Sequence, residues 1–308
     1  LHMSRLILVA GADAAAAAML ARRTAEAALD EGRTAVLIDG VRPDDDADAI
    51  AVTSLTAALG LALGELGADP IASADWVGVP GLSELSVRGA AVHALDDVDA
   101  VVVDAGDFVR VRTLVEAPLA VVRLLDSVLT PRLAMHRTAA GDAALFDAFS
   151  LARLDTLRLT QALRRPDTSV RLITGIDDSG SVRTLGTAAA LSVLGVTVDG
   201  IAATGVPRSS DGASKSARRA ADAALARLGV DGVAVWSAGR RCRPAPKGRS
   251  PLAGLDALPA LDDARLEVAA GEEEFTLDVP LAHAAMSDAR VGVQGDRLVV
   301  DAVGVRRW

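Results

Sequence analysis

The sequence predicts an α/β fold: a mostly parallel sheet with helices on both faces, followed by a small C-terminal antiparallel β unit. Three observations carry this. Short, almost wholly apolar runs recur through the first 238 residues, as strands buried on both faces do. Longer alanine- and leucine-rich segments fill the intervals between them, which is the rhythm of a sheet with crossover helices. Beyond residue 264 the apolar residues alternate with polar ones instead, the period of a sheet with one solvated face.

In chain order the strands fall at 6–10 (LILVA), 34–38 (TAVLI), 100–104 (AVVVD), 170–175 (VRLITG), 198–204 (VDGIAAT) and 232–237 (GVAVWS). Helices fill 14–30, 53–67, 109–129, 142–164, 181–194 and 211–228. The apolar intervals Pro118 to Leu129 and Ala143 to Leu154 lengthen the third crossover into a helical excursion over about 109–165. Residues 239–263 change character: Gly239 to Pro251 is basic and proline-rich and reads as an exposed loop or linker. The unit over 264–308 has strand patterns at 266–268, 274–279, 289–293 and 297–303, with Gly295-Asp296 as hairpin turn chemistry. So few short strands need a docking surface to be stable.

Composition bounds the function. A chain of 308 residues with 51% hydrophobic content buries a substantial core. A net charge of −9 and a pI near 5.0 argue against nucleic acid as a partner, because phosphate binding draws on clustered Lys and Arg. The single cysteine, Cys242, excludes an internal disulfide, and four scattered histidines give no metal-ligand spacing. The most apolar run, Leu55 to Leu66, is shorter than the ~18 residues of a membrane span and holds Gly60, Gly64 and Glu65. No secretory signal is visible, Leu1-His2-Met3 reads as a remnant ahead of the native start, and the expected compartment is cytoplasmic.

The first strand runs into Gly11-Ala12-Asp13-Ala14-Ala15-Ala16-Ala17-Ala18-Met19, where a phosphate-gripping loop would carry glycines, a lysine and a hydroxyl. Only Gly11 remains of that set. The chain's two lysines are Lys215 and Lys247, so none in the first 214 residues can reach a phosphate from this loop. The alanine run instead extends the helix towards the strand, with Asp13 as its N-cap.

This order of parts resembles the ArsA family of dimeric ATPases, which includes the tail-anchored-protein targeting factors, in the actinobacterial branch that ends in an α-crystallin-like domain. The resemblance implies a P-loop-NTPase-like fold of the SIMIBI or ArsA type over 1–238 and a partial α-crystallin-like unit over 264–308. The family's first strand leads into G-K-G-G-V-G-K-T-T. Against that motif Ala12 takes the place of the signature lysine, Asp13 that of a glycine, Ala17 that of the loop lysine, and Ala18 and Met19 that of the hydroxyl pair. Arg42 in Arg42-Pro43-Asp44 stands where D-P-A-H has its water-activating aspartate. Asp104 keeps the aspartate that closes a strand before A-P-T-G-H-T-L-R, and Thr204 replaces an adenine-reading asparagine. The stretches Glu273 to Leu281 and Gly295 to Val300 look like the first half of the crystallin-type domain.

The positions Gly11, Ala12, Asp13, Ala17, Ala18, Asp104 and Thr204 therefore form the candidate, degenerate nucleotide site. Asp104 is open to two roles, magnesium ligand or a carboxylate held by loop amides. Asp44, Asp45, Asp46 and Asp48 read as a cation site or a solvated cap. The cations from Arg240 to Arg249 read as an anion-capturing patch or a solvated linker. The leucine-rich helices over 118–154 read as a client groove or as packed core. The expectation is an inactive ArsA-like pseudo-ATPase, without catalytic residues or metal. It would act as a binding or regulatory subunit in a homodimer or in a heterodimer with an ATPase paralogue, and a protein client would fit either form. The alternatives are an active ATPase that uses ATP and Mg²⁺ in an atypical site, and a holdase-type chaperone.

Overall fold

A computed structural model describes residues 4–40, 82–128, 142–165, 167–206, 214–228, 234–238, 267–270, 275–278, 289–294, 297–302 and 305–307. The expected helix at 53–67, Arg42, the aspartates at 44–48, the basic segment 239–263 and the Gly295-Asp296 turn lie outside the described residues. The elements of the larger unit are β1 (Arg5–Gly11), α1 (Ala14–Asp30), β2 (Ala35–Asp39), α2 (Leu82–Ala94), β3 (Ala100–Asp107), α3 (Phe108–Val128), α4 (Asp142–Leu163), β4 (Ser169–Gly175), α5 (Asp178–Val193), β5 (Thr197–Thr204), α6 (Lys215–Leu228) and β6 (Ala234–Ala238). The smaller unit holds β7 (Glu267–Ala270), β8 (Phe275–Asp278), β9 (Ala289–Gln294), β10 (Arg297–Ala302) and β11 (Val305–Arg307).

The six strands β1 to β6 form one parallel sheet in the order β2-β3-β1-β4-β5-β6. Crossovers between parallel strands are right-handed, so the direction of each step along the sheet decides which face its helix covers. The step from β1 to β2 runs one way, and every later step runs the other. Accordingly, the core has two parts. On one face Leu6, Leu8 and Ala10 of β1 meet α2 to α6 through residues such as Val87, Phe108, Leu159, Leu191 and Leu228. On the other, Ile7, Val9, Val102, Ile173 and Ala202 meet α1.

Helix α1 lies close to the sheet because the residues it turns inward are small. Ala17, Ala21 and Ala25 are spaced four apart and buried, with Leu20 and Thr24 between them. Its C-terminal end is closed by bonds from the Gly32 N–H to the Leu29 carbonyl and from the Arg33 N–H to the Ala28 carbonyl. Gly32 there takes φ 77°, a conformation that favours glycine.

Helix α2 is an element absent from the sequence-based assignment. Its sequence LSELSVRGAAVHA mixes serines, a glycine and β-branched residues, so its intrinsic helix preference is weak. Burial of Val87, Ala91 and Val92 against the sheet holds it instead. The helical excursion takes the form of α3 and α4, which pack on one another. The start of α5 lies three residues before the expected position, at Asp178 rather than 181, because Asp177 caps it.

Among the described residues the C-terminal segment has five strands where four were expected. The pair β7–β8 is antiparallel, and β11-β10-β9 is a separate antiparallel sheet. Strands β10 and β11 contact α5, and Ala302 joins the main core, which supplies the docking that short strands need. Val291 and Val293 of β9 stay exposed beyond that contact. Among the described residues no helix is long and apolar enough to cross a membrane.

On the α1 face the sheet also buries a charge pair. Arg171 of β4 donates Nε to Asp199 Oδ2 at 3.0 Å, and Ser169 Oγ donates to the same oxygen at 3.0 Å. Arg171 Nη1 reaches Thr24 Oγ1 of α1 at 3.2 Å, tying helix to sheet. Burial pushes the Asp199 carboxyl up against the pull of Arg171, and burial lowers the half-buried Arg5 guanidinium nearby. Removing one partner strands the other charge in the interior. Arg171→Ala is therefore expected to cost about 3–5 kcal/mol in urea unfolding, with most of it regained in the apolar double variant Arg171→Met, Asp199→Leu. A cost below about 1 kcal/mol would show that the pair is solvated.

Candidate functional site

Strand β1 sits between β3 and β4, yet its helix leaves on the opposite face from theirs. In open α/β sheets such a reversal opens a crevice at the carboxyl ends of the strands. Five segments end there: Gly11–Asp13, Asp39–Gly40, Asp104–Asp107, Gly175–Asp177 and Thr204–Val206. The structure thus brings Gly11, Ala12, Asp13, Asp104 and Thr204 to one edge of the sheet.

The connection from β1 to α1 is only two residues, Ala12 and Asp13. A phosphate loop is longer, because several successive N–H groups must face outwards around the anion. Three N–H groups here bond within the chain. The Ala12 N–H donates to the Ile173 carbonyl at 3.1 Å, the Ala15 N–H to Asp13 Oδ1 at 2.9 Å, and the Ala17 N–H to the Asp13 carbonyl at 3.0 Å. Gly11 is also tied to packing: a methyl group there would collide with the Ile173 side chain and come within 3.0 Å of its carbonyl oxygen.

The alanines divide into two groups. Ala12, Asp13, Ala14 and Ala15 are all exposed. Ala17, by contrast, is 0% exposed and faces Val9 and Ile173. A lysine at 17 would be driven into the core in this backbone, so the residue serves helix–sheet contact. Ala18 and Met19 are half-buried.

Asp104 is buried inside β3, which runs three residues past the expected end at 104, and it accepts the Gly106 N–H of the same strand on Oδ1 at 2.9 Å. Gly106 turns the chain there with φ 72°. The Asp104 backbone carbonyl accepts the Gly40 N–H at 2.9 Å, and Gly40 lies so close that a Cβ would strike that oxygen. Burial raises the Asp104 carboxyl above the usual range, the Gly106 bond opposes this, and Asp39, its register partner on β2, adds to it. Thr204 donates Oγ1 to the Thr174 carbonyl at 3.0 Å, and its own carbonyl accepts the Ile176 N–H at 3.2 Å. Both of its polar groups stitch β5 to β4.

Sequence reasoning missed the two other helix caps at this edge. Asp107 Oδ1 accepts the Arg110 N–H at 2.8 Å at the start of α3. Asp177 Oδ1 accepts the Gly180 N–H at 2.7 Å and Ser179 Oγ at 2.6 Å at the start of α5, and these bonds hold its carboxyl below the usual range. The available signal was an aspartate three residues before an amide of the first helical turn. With Asp13, three helix N-termini at one edge each carry the chain's own carboxylate where an external anion would bind. The first turns of α3 and α5 lie side by side, Arg183 resting 5.9 Å from the centre of the Phe108 ring, and Val109 and Val182 beside them are 69% and 70% exposed.

Among the described residues no group of three or more His, Cys, Asp or Glu is placed to hold a metal ion. No protein-family model matches the chain, and no curated protein matches it.

Two outcomes follow from these contacts. The native state holds the Asp104 proton to a higher pH than the unfolded chain does, so the group costs stability as pH rises from the ordinary carboxylate value through its own. An asparagine side chain at this position keeps an acceptor for the Gly106 N–H without ionising. Asp104→Asn should therefore gain on the parent in urea midpoint as the pH rises above the ordinary carboxylate value of about 4, the two converging below it. A gap that does not change with pH would contradict this. Asp13→Ala should cost about 1 kcal/mol through the lost cap, read from the same curves at neutral pH, and no cost would mean that α1 does not depend on Asp13.

Proposed function

We propose that this chain is a non-hydrolysing, ArsA-like pseudo-ATPase that works by binding, as one subunit of a homodimer or of a heterodimer with an ATPase paralogue. The observation that carries the reading is the two-residue turn after β1, with the Ala12 amide committed to Ile173 and the Ala15 amide to Asp13. Phosphoryl transfer is catalysed almost entirely by positioning and charge stabilisation: amides and a lysine around the phosphates, and a hydroxyl and a carboxylate on magnesium. This edge offers no lysine from the first 214 residues, and Ala18 and Met19 stand where the resemblance places hydroxyls. It presents Asp13, Asp39, Asp107 and Asp177 to an incoming polyanion.

A binding role draws support from the same edge. Val109 and Val182 are exposed apolar side chains near the starts of α3 and α5, where the capping Asp107 and Asp177 and the exposed Arg183 also lie. An apolar patch within a charged rim is the anatomy of a protein interface. In a mixed dimer the chain would form the second wall of a competent partner's site.

Thermal unfolding with ATP and Mg²⁺ tests the reading. For a ligand at about 1 mM, a dissociation constant of about 1 μM corresponds to about 4 kcal/mol of added stability, a shift of many degrees. The expected result for this chain alone is no shift. A shift that grows with the logarithm of ATP concentration would overturn the proposal.

A further inference from the structure

We draw no further inference here: the strongest candidate, the apolar patch of Val109 and Val182 between the capping aspartates at the carboxyl edge of the sheet, belongs to the site already described, and nothing in the structure shows what covers it.

Discussion

The hydrogen bond from the Ala12 N–H to the Ile173 carbonyl sets the geometry on which the candidate site depends. It extends the β1–β4 pairing one residue past the strand end, so the chain reaches the start of α1 without room for a loop. Asp13 then turns the backbone and caps the helix with its own carboxylate. Because the turn is short, Ala17 arrives facing the sheet, and the buried alanine stripe allows α1 to sit close. Lengthening this turn into an anion cradle would break the bond to Ile173, shift the stripe and uncover the smaller half of the core.

The same arrangement recurs around the edge. Among the described residues, four polar side chains at this edge are engaged within the chain: Asp107 and Asp177 cap their helices, Asp104 holds Gly106, and Thr204 holds Thr174. A polar group near an interior must be hydrogen-bonded, and when no ligand supplies the partner the chain must do so itself. The carboxylates that accomplish this also make the edge repel anions. Val109 and Val182 stay exposed beside these caps.

Much of the fold was legible because its signals are strong and local. A five-residue apolar run such as LILVA has little alternative to a buried strand, and Ala14 to Asp30 combines alanine content with a capping aspartate, so both were assigned closely. Helix α2 was not, because burial of Val87 and Ala91 stabilises what its serines and glycine disfavour. The Arg171–Asp199 pair was hidden for another reason: the partners are 28 residues apart in sequence and meet only through strand register. At the site, the loss of glycines and lysine was readable residue by residue. That Ala17 points inwards was not, since direction depends on the length of the turn and hence on a hydrogen bond to a distant strand.

Amide hydrogen exchange followed by NMR measures directly whether the Ala12 amide is held by Ile173. The Ala12 amide lies in an exposed residue, yet it should exchange as slowly as the amides of β1 itself, and its resonance should stay unmoved when ATP and Mg²⁺ are added. Exchange at the rate of an unstructured peptide, or a shift of that resonance on adding nucleotide, would show that the amide is available to an anion and would contradict the account.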